Sequence, residues 1–166
     1  IRKLCKGLSK VEDVRERVKK LVADEGPAGQ FAWKVLSRSL AYSATMMGEI
    51  TDEVVAIDNA MKWGYNWELG PFETWDAIGV ETSVAKMEKD GLTVPEKVKK
   101  MLAGGNTAFY KTEKGKTFFY DFTAEAYKEI SDALIALRSD VTPASLSSLA
   151  DAFDLDSDAI FAEMES

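Results

Sequence analysis

The sequence predicts an all-α fold, a helical bundle that carries one small β-hairpin. Over most of the 166 residues, apolar side chains recur at spacings of three and four, which is the period of an amphipathic helix. Glycine and proline separate these segments and indicate short connections between helices. Only residues 108–121 combine aromatic and β-branched side chains around a turn signal, so we expect a single hairpin there.

The first predicted helix follows a basic segment, residues 1–10. Ser9 and Glu12 have the spacing of a capping box, which marks a helix start. An apolar stripe follows, made of Val11, Val14, Val18, Leu21 and Val22. Gly26 and Pro27 then end this helix, because proline lacks the backbone donor that a helix interior requires.

Residues 28–48 form the predicted central helix of the bundle. Lys34 and Arg38 are its interior charges, and most other positions are apolar or small. A helix that is apolar on most sides is expected to be buried on most sides. Its methionines and small residues could also line a channel for an acyl chain, although packing against neighbouring helices is the favoured interpretation.

The chain is organised around residues 57–79, which hold three of its tryptophans. The first helix of this stretch is entered at Thr51 and carries Val54, Ile57, Met61 and Gly64 at spacings of three and four, so these residues share one face. We expect Gly64 to follow the helix directly, because a left-handed backbone costs glycine nothing.

A second helix is predicted to begin at Gly70-Pro71 and to end at Gly79. Proline at the first helical position loses no useful backbone N–H. Glu73, two residues further on, suits the positive end of the helix dipole.

Two short amphipathic helices follow, and the hairpin comes after them. Their inward-facing residues are predicted to be Val80, Val84 and Met87 in the first, and Val94, Val98, Met101 and Leu102 in the second. The hairpin strands are predicted at residues 108–112 and 116–121, with the turn between them.

From Thr123 onwards, the hairpin pattern of the sequence gives way to amphipathic helical patterns. We therefore divide the chain into a helical domain, residues 1–122, and an acidic helical extension or linker, residues 123–166. Two amphipathic helices are predicted in the extension, the first with Tyr127, Ile130, Leu134 and Leu137, and the second, opened by Thr142-Pro143, with Leu146, Leu149, Ala150 and Phe153.

The extension also contains a pattern that partly matches a calcium loop. Asp154, Asp156, Asp158 and Glu165 occupy positions 1, 3, 5 and 12 of an EF-hand. The sharp turn of that loop needs glycine at position 6, where this chain has Ala159. An acidic helix start at Asp156 explains the same residues, so no metal site is predicted.

Composition excludes several functional classes. The net charge of −7 argues against general nucleic-acid binding. No histidine is present, which removes a histidine base, a Ser-His-Asp triad and an HExxH zinc site. No Gly-x-Gly-x-x-Gly loop appears, and no apolar run reaches membrane-spanning length. The single Cys5 fits a reducing compartment, and we expect a cytoplasmic protein without catalytic or cofactor-binding residues of its own.

The motif in residues 57–79 resembles the helical C-terminal domain of 3-hydroxyacyl-CoA dehydrogenases. The resemblance covers about residues 29–120, and Asp58 fits the first position of the family motif. Its segments are Ala60-Met61-Lys62-Trp63-Gly64, Gly70-Pro71-Phe72-Glu73, Trp75-Asp76 and Ile78-Gly79. From this motif and the central helix we select ten interface or structural residues: Trp33, Trp63, Gly64, Trp67, Gly70, Pro71, Phe72, Glu73, Trp75 and Asp76.

The resemblance implies an NAD-dependent enzyme of fatty-acid β-oxidation, whose catalytic His–Glu pair and NAD site lie on another domain. The family places a substrate-positioning Asn where this chain has Trp33, and an Arg where it has Lys34. Tryptophan cannot make the paired contacts of a carboxamide. The tryptophan-rich form of the motif is similar to the second of two tandem helical domains in fused enzymes that also carry an enoyl-CoA hydratase module.

Two functional hypotheses follow. The first is a dimerisation and substrate-cleft module of such a dehydrogenase, inactive alone. Its partners would be the NAD-binding domain, a duplicate helical domain or a second chain, and in fused enzymes the hydratase module. The alternative is a free-standing helical module that binds a protein or an acyl ligand without enzymatic activity.

Overall fold

A computed structural model describes residues 2–130, in which seven helices precede a three-stranded sheet. The helices are α1 (Arg2–Leu8), α2 (Val14–Ala23), α3 (Pro27–Met46), α4 (Val54–Tyr65), α5 (Pro71–Ile78), α6 (Val80–Lys89) and α7 (Glu96–Ala103). The strands are β1 (Tyr110–Glu113), β2 (Lys116–Asp121) and β3 (Ala126–Glu129). The predicted helical bundle with a small antiparallel element is confirmed. None of the described helices combines the length and apolar character needed to cross a bilayer.

The short helix α5 lies at the centre of the core. Its first five residues, Pro71–Trp75, are all buried, and it packs against α2, α3, α4 and α6. Phe72 and Trp75 are fully buried, and their rings lie 4.9 and 5.3 Å from the ring of Phe109, centroid to centroid. Aromatic rings at such separations add to the free energy gained from burying their area.

The long helix α3 is buried on one side only, although the sequence predicted burial on most sides. The buried side consists of Gly29, Trp33, Ser37, Leu40, Ala41 and Ala44. On the opposite side, Phe31 and Tyr42 keep 70% and 65% of their surface exposed. The described part of the bundle therefore covers one face of an apolar helix and leaves the other open.

The start of α2 differs from the prediction. The helix begins after Asp13, whose carboxylate accepts a hydrogen bond from the Arg15 N–H at 2.8 Å. The proposed capping box of Ser9 and Glu12 is therefore wrong. An aspartate directly before a helix competes well for this position, because its carboxylate can satisfy a free helix N–H.

The end of α4 also differs. Gly64 lies within the last turn, and the helix continues to Tyr65. Asn66, rather than Gly64, adopts the left-handed conformation, with φ 54°. Asparagine tolerates this region because its short polar side chain can bond locally.

The sheet has the order β1-β2-β3, with both neighbouring pairs antiparallel. Lys114 and Gly115 between the first two strands have φ values of 51° and 79°, so the predicted hairpin forms around a turn with two left-handed residues. The third strand corrects the helix predicted from Tyr127. The Tyr127 hydroxyl donates to the Ala108 carbonyl at 2.6 Å, and its ring contacts that of Tyr120.

The other features predicted for the extension lie outside the described residues. They comprise the remainder of the first helix, the helix at Thr142-Pro143 and the acidic pattern at Asp154. The boundary after residue 122 stays a prediction.

Candidate functional site

The start of α5 is capped by a side chain from another helix. Gly70 occupies the N-cap position and has no side chain to receive the first free amides. Asp58, in the middle of α4, takes this role. The Phe72 N–H donates to its Oδ1 at 2.8 Å, and the Glu73 N–H donates to its Oδ2 at 3.0 Å. A carboxylate in this position satisfies two orphan donors and faces the positive end of the helix.

Gly70 is required by this close approach. A Cβ atom on Gly70 would lie 2.3 Å from the Asp58 Cβ and 2.4 Å from the Asp58 Cα. The φ of Gly70 is −76°, an ordinary value for any residue, so its backbone conformation does not demand glycine. The glycine that the sequence marked as a helix start is thus also the point where α4 touches α5.

Glu73 completes the cap from inside α5. Its Oε2 accepts a hydrogen bond from the Gly70 N–H at 2.9 Å, as expected for an acid in the first turn. Its Oε1 lies 2.9 Å from the Nζ of Lys62 on α4. Both side chains of this ion pair are largely buried, and breaking a buried ion pair by removing one partner is destabilising.

Two further contacts attach the sheet to the same point. The Tyr110 hydroxyl, on β1, donates to the Asp58 Oδ2 at 2.8 Å. Asp76 of α5 accepts the N–H groups of Phe109 and Tyr110 at 2.8 and 2.9 Å. We call Asp58, Lys62, Gly70, Glu73, Asp76 and Tyr110 the Asp58 joint.

Burial raises the pKa of three ionisable side chains of the joint. Desolvation raises the pKa of Asp58 to about 7, while the hydrogen bonds from Phe72 and Tyr110 act in the opposite direction. Desolvation likewise raises the pKa of Asp76 to about 6 against the bonds from the β1 backbone. The pKa of Tyr110 lies well above its usual value, first because of burial and then because of the charge on Asp58.

The contacts of the Asp58 joint connect secondary-structure elements to one another. Each of its three carboxylates accepts main-chain hydrogen bonds: those of Asp58 and Asp76 join different elements, and that of Glu73 closes the start of its own helix. In the part of the chain that the structure describes, no buried side-chain polar atom lacks a hydrogen-bond partner. These acids are therefore already engaged with protein donors, and the arrangement fixes α4, α5 and β1 relative to one another.

The three tryptophans of residues 57–79 occupy different environments. Trp75 is fully buried, and its indole N–H donates to the Ser83 hydroxyl at 2.5 Å. Trp63 and Trp67 remain 44% and 46% exposed. The tryptophans therefore divide into one core residue and two that border the surface.

Trp33 lies inside the bundle. Its indole N–H donates to the Asp90 Oδ2 at 2.6 Å, and the Lys86 Nζ lies 4.4 Å from the ring centroid. The residue lines a cleft of about 880 Å³, together with Lys34, Arg38 and residues from the ends of α2 and α6. A buried indole held from two sides thus stands where the resemblance would place a substrate-contacting carboxamide.

The open side of α3 carries several large apolar side chains, with the exposed Arg38 among them. Four of them, Phe31, Val35, Tyr42 and Met46, lie along the helix, and Ile50 lies in the turn that follows its end. We call these five residues the α3 face. Beside it, an apolar groove of about 420 Å³ runs between α3 and α4, with Ile57, Met61 and Trp67 in its wall. Neither feature depends on Trp33, which points to the opposite side of the helix.

Sequence reasoning found the motif but missed how it works. The sequence indicates Asp58 only as a position of the family motif and Lys62 only as a residue within that motif, with no structural role for either. The usable signal was Gly70 itself, since a helix that begins at Gly-Pro has no N-cap side chain and needs an acceptor from elsewhere. Tyr110 gave no signal, because its contact joins residues far apart in the chain.

Comparisons with known proteins identify the family of this chain. The family described as "3-hydroxyacyl-CoA dehydrogenase, C-terminal domain" matches residues 29–119. A "Probable 3-hydroxyacyl-CoA dehydrogenase" of Bacillus subtilis is 48% identical over 107 residues, which cover 64% of this chain and 14% of that protein. A "Putative fatty acid oxidation complex trifunctional enzyme" of Rickettsia felis is 30% identical over 66 residues, which cover 40% of this chain and 9% of that protein. The chain thus spans only a small part of either relative.

Proposed function

The chain belongs to the family of 3-hydroxyacyl-CoA dehydrogenase C-terminal domains, and from this premise we propose that it is a non-catalytic helical module of an NAD-dependent dehydrogenase of fatty-acid β-oxidation. Its work is to pack against another helical domain and to help wall the acyl-CoA cleft. NAD is bound by a separate domain. The partners are that domain, a duplicate helical domain or second chain, and a hydratase module in fused enzymes. The proposed location is the cytoplasm.

The observation that carries the proposal is the placement of Trp33. A module that positioned substrate would present a polar group from this part of α3. Here an indole is buried with its only donor bonded to Asp90 at 2.6 Å. The open, apolar side of the same helix supports a packing role.

The chemistry of the remaining residues agrees with the proposal. The chain has no histidine, so the family's histidine base has to come from another part of the enzyme. The acids of the Asp58 joint are engaged by main-chain donors and are poorly placed to accept a proton from a substrate. The name of the Rickettsia relative supports an assembly of several activities in one polypeptide.

A chimera tests the proposal directly. Residues 29–119 of this chain would replace the matching part of the Bacillus relative, and NADH formation from 3-hydroxybutyryl-CoA would be followed. We expect the chimera to retain activity near that of the parent enzyme, and the isolated 166-residue chain to have none. Activity of the isolated chain, or a folded but inactive chimera beside an active parent, would contradict the proposal.

The groove between α3 and α4 favours one alternative, an acyl-ligand-binding module. Its volume of about 420 Å³ and its apolar wall could hold a fatty-acyl chain. If the groove binds an acyl chain, calorimetric titration of the isolated chain with palmitoyl-CoA would detect the binding, and Ala60→Trp, which narrows the groove, would abolish it. We expect no heat of binding in either protein.

A further inference from the structure

We propose that the cleft beside Trp33 binds a small phosphate monoester, with its phosphate held by Lys34, Ser37 and Arg38 of α3. We call these three residues the Ser37 site. The inference goes beyond the proposed packing function, because it gives the module a ligand of its own. Ser37 lies one turn along α3 from Trp33, whose only polar group is already bonded to Asp90.

Ser37 provides the observation that points to a ligand. The residue is 4% exposed and lines the cleft. Its hydroxyl has no hydrogen-bond partner among the residues that the structure describes. Fully enclosed side-chain polar atoms in that part of the chain all have partners, so the Ser37 oxygen retains contact with solvent through the cleft. An almost buried hydroxyl is thus free to donate to a molecule that enters the cleft.

Two cations accompany this hydroxyl on the same helix. Lys34 and Arg38 are exposed, line the cleft and are neighbours on the helix surface, because they are four residues apart. The Arg38 Nη1 donates to the Lys34 carbonyl at 2.8 Å, which leaves the other guanidinium donors available. Within the described residues, neither cation forms an ion pair with a carboxylate. Like charges at this spacing repel each other, and a bound anion would relieve that repulsion.

The charges that α6 contributes to the cleft balance each other. Lys86 and Asp90 are opposite in sign and four residues apart, and both contact Trp33. The Lys86 Nζ lies 4.4 Å from the ring centroid, and the Asp90 Oδ2 lies 2.6 Å from the indole nitrogen. This pair therefore adds little net charge beside the Ser37 site.

Two acids lie at the other end of the cleft, where α2 ends. Asp24 and Glu25 line it there, and the Asp24 Oδ2 accepts the N–H groups of Gly26 and Gly29 at 3.1 and 3.3 Å. Asp24 thus faces the positive end of α3. Lys34 is seven residues beyond the start of α3, or about 10 Å along its axis, and the Debye length is about 8 Å. The two cations of α3 therefore keep most of their positive charge.

A phosphate monoester matches these donors. It carries a charge of about −1.5 to −2 at pH 7 and three strong acceptor oxygens, which suit two cations and one hydroxyl. Arginine can also bind such oxygens through two parallel N–H groups. Val22, Trp33 and Leu92 contribute apolar surface to the cleft, whose volume of about 880 Å³ suits a small molecule. The body of the ligand is therefore expected to be apolar.

Calorimetric titration of the 166-residue chain with phenyl phosphate, in chloride buffer of low ionic strength, tests the site. We expect one binding site with a Kd on the order of 0.1 mM. Phenyl sulfate has a similar shape but a single charge and should bind about 10-fold more weakly. Inorganic phosphate lacks the apolar body and should also bind about 10-fold more weakly.

Substitutions then locate the binding. Ser37→Ala, Lys34→Gln and Arg38→Gln should each raise the Kd for phenyl phosphate about 10-fold, because each removes a hydrogen bond to a charged ligand. Ser39→Ala and Lys100→Gln are the matched controls, since both residues are exposed and lie outside the cleft. These two variants should bind as the parent chain does. Circular dichroism would establish that all five variants remain folded.

Each alternative result would contradict a stated part of the proposal. No heat with phenyl phosphate at up to about 10 mM would overturn the site, as would binding that none of the three substitutions weakens. Equal affinity for phenyl sulfate would overturn the phosphate assignment, and equal affinity for inorganic phosphate would overturn the role of the apolar wall. These titrations use no dehydrogenase activity. A chain without phosphate binding therefore leaves the proposed function intact, and an inactive chimera leaves the Ser37 site intact.

Discussion

The Asp58 joint and the α3 face differ in which side chains they bury: the joint buries polar side chains, and the α3 face exposes apolar ones. In the joint, two buried and one partly buried carboxylate and a partly buried lysine are all engaged, by bonds of 2.8 to 3.0 Å that cap α5 and connect α4, α5 and β1. On the α3 face, large apolar side chains are open to solvent. Burying polar groups is costly unless they are hydrogen-bonded, as they are in the joint, where they fix the architecture. Exposing a large apolar surface is costly unless a partner covers it.

Truncation of a core ring should have the largest effect on the folded state. Phe72→Ala removes a fully buried side chain at the joint and should lower the free energy of unfolding by about 3–5 kcal/mol. Phe31→Ala on the α3 face is the control and should change it by less than about 0.5 kcal/mol. Urea denaturation at low protein concentration measures both. Equal effects would erase the distinction between the two regions.

Removing the shared cap should cost less but still be large. Asp58→Ala leaves two buried N–H groups and the Tyr110 hydroxyl without their acceptor, and we expect a loss of about 2–4 kcal/mol. Asp13→Ala removes the exposed cap of α2 and should cost about 1 kcal/mol. A similar loss in both variants, from urea midpoints at constant slope, would show that the joint is no more than an ordinary cap.

The joint also predicts how stability changes with pH. The pKa values of Asp58 and Asp76 are raised in the folded state to about 7 and about 6, so the folded state retains protons that the unfolded chain releases near pH 4. Stability should therefore fall as pH rises from about 4 to about 7, by at most about 1.4 kcal/mol per pH unit for each carboxyl.

Asp58→Asn removes one of these titrating groups and should flatten that fall. Urea midpoints measured at intervals between pH 4 and 8 would record both slopes. An unchanged slope in the variant would mean that the hydrogen bonds to Asp58 cancel its desolvation, so that its pKa is not raised on folding.

The smallest expected effect is the loss of one hydrogen bond. Tyr110→Phe removes the hydroxyl that reaches Asp58 from β1 and should cost about 1 kcal/mol. Tyr65→Phe, at an exposed ring, should be neutral by the same thermal or urea measurement. If Tyr110→Phe leaves the stability unchanged, the hydrogen bond between Tyr110 and Asp58 does not contribute to holding the sheet against the joint.

Local signals predicted much of the fold. Gly70, Pro71 and Gly79 bound α5 as expected, because each acts through its own backbone chemistry. The predicted central helix is within two residues of α3 at both ends. Its burial was wrong on one side, since composition records that a surface is apolar but not whether the same chain covers it.

What the sequence could not predict depends on contacts between distant segments. Asp58 caps a helix that begins 13 residues later, and the Tyr110 hydroxyl reaches it from β1. Residues 126–129 have helical propensity, yet pairing with β2 makes them a strand. Such outcomes follow from tertiary partners, which local periodicity does not contain.

The placement of the four tryptophans gives the protein an internal optical reporter. Trp33 and Trp75 are shielded, whereas Trp63 and Trp67 are accessible to a dissolved quencher such as acrylamide. Emission should therefore resolve into two populations, one quenched in the native state and one only on unfolding. Trp67 lines the groove beside α3, so covering that groove would transfer its emission from the first population to the second without any attached dye.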